Sequence, residues 1–276
     1  MALLLSTRHI VTKMDENIKR VDNRLNDYIK DSNENNIHDI RTAVRRLDAS
    51  YRSLPKSMQR KNKISKYMRT SKLLFKINSQ VRDYDIICEK LQKYSSEPIY
   101  TELTGSLNRK RKTKLARSRK IALSLRDCVI PHVKESAIPT KKLEMRYNKV
   151  VVRLRERIEL NLPIVLTNAN KLKELHEMRK DSKKLRYLLE LTSHQNTQIH
   201  TIITELEDIQ DALGTIHDCD TMIAYLKRIR HRNKVKHILD DEISERYKKY
   251  DDFIQFCKKS LSDVRLNFLK QITVLT

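Results

Sequence analysis

The sequence predicts an all-α protein, and three observations support that prediction. It holds only two glycines and five prolines in 276 residues, far fewer than turn-rich β sandwiches and barrels require. Apolar residues recur at intervals of three and four along most of the chain, which is the spacing of one helix face. No segment keeps up the alternation of apolar and polar residues that is typical of a half-buried strand.

The prolines mark where the predicted helices end, because proline interrupts helix hydrogen bonding. They divide the chain into about eight helical stretches, with breaks at Pro55, Pro98, Pro131, Pro139 and Pro163. The glycines, Gly105 and Gly214, are too far apart to form a glycine-rich phosphate loop.

The order of three sequence patterns predicts an internal duplication. A pattern of apolar and basic residues that begins at Ile10 in the first helix recurs from Leu143. The motif that begins at His38 recurs at His176, and the D-x-D motif at Asp83 recurs at Asp218. The three shifts in residue number are nearly equal, and the patterns keep the same order. We therefore expect a duplicated four-helix unit with halves 1–138 and 139–276.

The charge balance predicts a polyanionic partner. Lys and Arg number 58 against 35 Asp and Glu, and 58 − 35 gives the net charge of +23. Nucleic acid, acidic lipid and another phosphate polymer are the classes that fit. The four cysteines have no zinc spacing, and the N-terminal apolar run is too short for a signal peptide or a membrane span. We expect a cytoplasmic protein with no membrane segment, no metal and no cofactor.

Basic stripes on the predicted helices are the candidate binding residues. At about 100° per residue, His38, Arg41 and Arg45 share one helix face opposite an apolar face, and the second copy repeats this layout. One interpretation is a solvated surface; the favoured one is anion binding, because acidic partners are scarce on the stripes. The second-copy stripe and the further stripes comprise His176, Arg179 and Lys183; Arg20 and Arg24; Lys110, Lys114 and Arg117; and Arg146, Lys149, Arg153 and Arg157.

Two other patterns leave alternatives open. The basic run 108–120 is also typical of a disordered nucleic-acid tail, although its apolar spacing favours a helix. The two D-x-D motifs are compatible with a metal site, but we favour carboxylates that pair with crowded Arg and Lys. No arrangement of Ser, Cys and His indicates covalent catalysis, so we expect no enzyme activity.

The His38 and His176 motifs, together with R-D-x-D at 82–85 and L-G-x-x-H-D-x-D at 213–220, resemble the signatures of CHAD domains (conserved histidine α-helical domains). The resemblance implies two four-helix bundles related by a pseudo-twofold axis, with a basic central channel that binds inorganic polyphosphate. It implies binding roles for His38, Arg41, Arg45, Arg46, His176, Arg179, Lys183 and Lys184. The chain departs from internal symmetry where His217 replaces the arginine of the first D-x-D motif.

The expected function is non-enzymatic binding of inorganic polyphosphate, with association with polyphosphate granules as a further expectation. The alternative is a nucleic-acid-binding basic helical protein. A triphosphatase is not implied, because the E-x-E-x-K signature of the domain that often precedes CHAD is absent from the sequence. The oligomeric state is not predicted. The expectation depends on one geometric condition: the cationic side chains of both halves must converge on one shared cavity.

Overall fold

Residues 6–192, 197–230 and 232–262 are described by a computed structural model, except for the side chains of 259–262. This part of the chain is helical with no β-strand, so the all-α prediction is confirmed. Its α-helices are α1 (Thr7–Lys30), α2 (Glu34–Ser53), α3 (Lys56–Gln59), α4 (Asn62–Leu91), α5 (Pro98–Arg126), α6 (Thr140–Thr167), α7 (Leu172–Leu189), α8 (Thr197–Leu226) and α9 (Lys236–Ser262). In the described residues no helix is both long and apolar enough to cross a bilayer.

The helix starts follow local chemistry. The Asn33 side chain caps α2 by accepting a 2.9 Å hydrogen bond from the Asn36 N–H. Pro98 begins α5, where its missing N–H costs nothing. The predicted break at Pro163 is wrong, because α6 continues through it to Thr167. Val165, which follows Pro163, is fully buried, so packing of the last turn offsets the helix hydrogen bond that proline cannot donate.

The helices pack in consecutive pairs: α1 on α2, α4 on α5, α6 on α7, and α8 on α9. In addition, α2 packs on α4, α7 packs on α8, and α1 packs on α5. Contacts between the N-terminal and C-terminal helices join α2 to α6 and α7, and α4 to α8. Most of the buried apolar residues form one core, and a second core lies where the C-terminal ends of α4 and α8 meet α5. Each of α2, α4, α7 and α8 therefore packs against N-terminal helices and against C-terminal helices.

Corresponding helices begin at the spacing of the sequence repeat. The first residues of α1 and α6, Thr7 and Thr140, are shifted by the same amount as Ile10 and Leu143, the starts of the repeated first pattern. Likewise, the starts of α2 and α7 are shifted as His38 and His176 are, and those of α4 and α8 as the two D-x-D motifs are. Thr7 and Thr140 join their hydroxyl oxygens in a 2.9 Å hydrogen bond. The two four-helix bundles and the boundary after residue 138 stay predictions, and residues 1–5 and 263–276 of the predicted halves lie outside the described residues.

An ion pair of low exposure links α4 to α9. The Lys90 Nζ lies 2.5 Å from Glu242 Oε1, and the Glu242 side chain is fully buried. Replacing Glu242 by Ala leaves the Lys90 ammonium without its partner, and we expect a loss of about 3 kcal/mol in the free energy of unfolding. Chemical denaturation measures it. The double variant Lys90→Met/Glu242→Leu should regain most of that loss, and a double variant as unstable as the single one would contradict a charge-pair origin.

Candidate anion-binding site

A cavity of about 680 Å³ lies between α2, α4, α7 and α8. Ten Lys and Arg side chains line it, against three carboxylates. The cations are Arg41, Arg45, Arg52, Lys72, Lys76, Arg82, Arg179, Lys180, Lys183 and Lys184; the carboxylates are Asp48, Asp83 and Asp218; and His176 and His217 complete the ionisable lining. This imbalance gives the cavity a positive electrostatic potential, which favours anions over cations.

The amphipathic pattern of α2 and α7 places these cations in the cavity. Ile40 and Leu47 are buried on one side of α2, so Arg41 and Arg45 lie on the other side; Val44 lies at the border and lines the cavity. On α7, Met178 and Leu185 are buried in the same way. Since α2 packs against α7, their two basic faces share one cavity, as the sequence predicts.

Arg41 and Arg179 crowd each other near the centre of the cavity. Burial and the neighbouring Arg45 and Arg179 lower the pKa of Arg41 to about 10, although Asp83 opposes the shift. Burial also lowers the pKa of Arg179, with Asp218 opposing. Burial raises the pKa of both Asp83 and Asp218, and the neighbouring Arg179 opposes the shift in each. The ten cations of the lining outnumber its carboxylates, so Asp83 and Asp218 compensate only part of the repulsion.

Lys183 shows the crowding most clearly. Burial, followed by repulsion from Arg179, Arg45 and Arg41, lowers its pKa from an ordinary value of 10.5 to about 7. Near neutral pH its amine is therefore only partly charged, and a bound anion would favour the charged form.

The two signature histidines have different surroundings. His176 lies beside His217, with ring centroids 5.0 Å apart and ring planes tilted by 35°. Burial and nearby cations lower the pKa of His217 to about 3, so that ring is neutral at pH 7. Both signature histidines are exposed, but the His38 Nε2 lies 3.4 Å from the Thr42 hydroxyl, and His38 is not among the residues that line the cavity. The arrangement around His176 is therefore not repeated around His38.

Helix α4 contributes lining residues that the sequence analysis missed. Phe75 lies under two guanidinium groups, with its ring centroid 5.8 Å from the Arg41 Cζ and 5.2 Å from the Arg45 Cζ. Lys72 and Lys76 flank it on the same helix face. The lining residues of α4 recur at intervals of three and four, which is the spacing of one helix face, at positions 72, 75, 76, 79, 82, 83 and 86. This periodicity is the sequence signal that could have identified them.

Several predicted binding residues lie outside the cavity lining. Arg24 pairs with Asp27 and Asp39. Arg46 pairs with Glu190 at 3.2 Å. Among the other predicted residues outside the lining, Arg157 pairs with Asp181, Arg146 donates to the Arg52 carbonyl, Lys110 lies over the Tyr225 ring, Lys114 and Arg117 lie on α5, and Arg20, Lys149 and Arg153 are exposed.

The second aspartate of each D-x-D motif pairs with an arginine, as expected. Asp85 lies 2.5 Å from the Arg111 Nε and Asp220 lies 2.5 Å from the Arg246 Nε. The two residues of each pair are the same number of positions apart in the sequence. The first pair joins α4 to α5, and the second joins α8 to α9. Across the described ranges no group of three or more His, Cys, Asp and Glu has an arrangement that could hold a metal ion.

The depressed pKa of Lys183 makes stability depend on pH. The unfolded chain binds more protons than the folded chain between pH 7 and pH 10.5, so the free energy of unfolding rises with pH across that window. Lys183→Met removes the titrating group, and we expect a smaller rise together with greater stability at neutral pH. Urea unfolding at both ends of the window measures this.

The matched control for that measurement is Lys112→Met, because Lys112 is exposed on α5. It should keep the pH dependence of the wild type. A Lys183→Met curve parallel to that of the wild type would show that Lys183 is not electrostatically strained.

Comparison with known proteins identifies the family. A family model described as CHAD domain matches residues 13–227. Among solved structures, the crystal structure of the CHAD domain from the plant Ricinus communis aligns with a TM-score of 0.64 and 13% identity, covering 91% of this chain and 90% of that chain. No curated protein matches the sequence. The family model covers well over half of the chain, the fold agrees, and the protein belongs to the CHAD domain family.

Proposed function

We propose that the protein binds inorganic polyphosphate in the cavity between α2, α4, α7 and α8, without catalysing a reaction on it. The observation that carries the proposal is the convergence of ten Lys and Arg side chains, from both predicted halves, on one cavity with three carboxylates. Uncompensated cations at this density destabilise the empty protein, and a polyanion relieves the repulsion.

The kinds of cation in the cavity suit phosphate oxygens. Arg presents a planar fork that can hold two oxygens, and Lys presents a mobile point charge. Phe75 supports the Arg41 and Arg45 guanidinium groups by cation–π contact, so their orientation is partly set before a ligand arrives. Affinity should fall steeply as salt rises, because bound counterions are released.

Inorganic polyphosphate fits the cavity better than nucleic acid does. Stacking of single-stranded bases requires open aromatic faces. Arg41 and Arg45 already lie over Phe75, and Arg46 and Arg186 lie over the buried Tyr187. A duplex would have to bind an outer basic surface instead, since its major groove alone is about 12 Å wide.

The cavity offers little for covalent catalysis. The Ser79 hydroxyl, which lines it, donates a 2.9 Å hydrogen bond to the Phe75 carbonyl and is not held by a base. His217 is neutral but lies among cations rather than beside a nucleophile. The proposal therefore covers binding alone, in the cytoplasm and on polyphosphate granules, where long chains accumulate.

Neutralising the centre of the cavity should abolish binding while the fold survives. In the variant Arg41→Gln/Arg45→Gln/Arg179→Gln/Lys183→Gln we expect affinity for polyphosphate to fall at least about 100-fold, because each charge-assisted contact contributes about 1.5 kcal/mol or more. Calorimetric titration at fixed salt measures affinity, and circular dichroism measures helicity.

The control is Arg8→Gln/Arg109→Gln/Lys112→Gln/Arg228→Gln, which removes the same three Arg and one Lys from exposed positions outside the cavity lining. It should bind polyphosphate nearly as tightly as the wild type. Equal losses in the two variants would refute a cavity site.

Two further experiments on the wild type distinguish polyphosphate binding from nucleic-acid binding and from enzymatic hydrolysis of polyphosphate. Duplex DNA, at equal phosphate concentration, should fail to displace long-chain polyphosphate; displacement would favour the nucleic-acid alternative. Incubation with Mg²⁺ should leave the chain length unchanged, and shortening would establish an enzyme.

A further inference from the structure

The two ends of the cavity carry different charge. At the end formed by the first half, the lining includes Arg52, Lys72 and Lys76. When the sequence repeat is aligned on its His and D-x-D motifs, the corresponding positions of the second half are Glu190, Glu207 and Asp211. Three cations on one side thus correspond to three acids on the other.

The second-half end is neutralised by its own ion pairs. Glu190 pairs with Arg46 at 3.2 Å and with Arg186 at 3.7 Å. Arg186 also pairs with Glu207. Two cations therefore meet two carboxylates, and little positive charge is left there to attract a phosphate.

The first-half end continues as a basic surface beyond the cavity. It consists of Arg52, Lys56, Arg60, Lys72, Arg146 and Arg153, which we call the basic exit. Asp48 pairs with two of these residues, lying 2.5 Å from the Arg52 Nε and 2.7 Å from the Lys72 Nζ. The other four have no ion pair within the described ranges.

Contacts within the basic exit show that its members are close together. The Arg146 Nε donates a 3.2 Å hydrogen bond to the Arg52 carbonyl. Arg146 is the main cause of a lowered pKa at Lys56, and Arg60, Arg52 and Lys72 add to the effect. Burial, followed by repulsion from Arg52 and Arg153, lowers the pKa of Arg146. Arg153 lies two turns beyond Arg146 on α6, on the same side of the helix. Positive charge therefore continues from the cavity across the C-terminal end of α2, across α3 and along the N-terminal half of α6.

The shape of the cavity agrees with the charge difference. Helix α4 contributes seven lining positions, from Lys72 to Ile86. Helix α8, its counterpart in the repeat, contributes only His217 and Asp218. The cavity thus extends along α4 toward the basic exit and stops short of Glu207 on α8.

We propose that a polyphosphate chain too long for the cavity leaves it at one end only, over the basic exit, so that one terminus of the chain is held inside. This rests on the proposed function and adds a direction to it. Short chains contact the cavity alone, whereas long chains contact both surfaces and gain affinity from the second.

The test compares tripolyphosphate with long-chain polyphosphate on the exit variant Lys56→Gln/Arg60→Gln/Arg153→Gln. All three residues are exposed, so the fold should survive. We expect tripolyphosphate affinity within about twofold of the wild type and long-chain affinity reduced about tenfold or more. The slope of log affinity against log salt for the long chain should shrink by about 2, at about 0.7 for each lost contact on a flexible polyanion.

The matched control is Arg109→Gln/Lys112→Gln/Arg228→Gln, which removes the same two Arg and one Lys. These exposed residues lie on α5 and just beyond α8, toward the second core. The control should bind both ligands as the wild type does. A long-chain loss equal to that of the exit variant would overturn the proposal in favour of general surface charge. Failure of the wild type to bind either tripolyphosphate or long-chain polyphosphate would instead refute the proposed function itself.

A second experiment tests the position of the terminus. Long-chain polyphosphate with a bulky label at both ends should bind the wild type at least about tenfold more weakly than the unlabelled chain of the same length. Equal affinity would mean that the middle of a chain crosses the cavity, and would overturn capture by the terminus. The exit variant should show at least as large a difference between the two chains, because its labelled chain loses the contacts of the cavity and of the basic exit together.

Discussion

Repulsion among like charges held at close range is the constraint on which the cavity depends. The helices that bring together Arg41, Arg45, Arg179 and Lys183 bury their apolar faces in the protein core. Burial of apolar residues in the two cores therefore offsets the unfavourable free energy of this repulsion. Partial burial deepens that cost, since a charge out of water interacts more strongly with its neighbours. Asp83 and Asp218 soften the repulsion at the centre without removing it.

The sequence could predict which residues face away from the core, but not what those faces meet. The basic faces of α2 and α7 were predicted from periodicity, and they line the cavity because these two helices pack against each other. The same periodicity on α1 selected Arg20 and Arg24, which are exposed. Helix α1 packs on α2 and α5 rather than across the cavity, so its polar face meets solvent.

The sequence analysis missed Phe75 and Lys76 because α4 has no distinct polar face. Helix α4 contacts neighbours on several sides, so its apolar pattern is spread around the helix and no single polar stripe stands out. The prediction that D-x-D aspartates pair with basic residues succeeded for Asp85 and Asp220, because a carboxylate beside buried apolar residues needs a strong donor. The particular partners, Arg111 and Arg246, depend on helix packing.

The two repeats share their apolar pattern and the basic residues near the centre of the cavity, such as Arg41 and Arg179, whereas their charged residues toward its ends differ. The clearest example is that Glu190 and Glu207 occupy the positions of Arg52 and Lys72.

A cavity with one neutral end would also protect the bound chain. Phosphatases that remove phosphate units from a chain end could not reach a terminus that lies against the neutral end. The opposite terminus would remain open to degradation, so shortening of a bound polymer would proceed from one direction and would slow as the remaining chain withdrew into the protein.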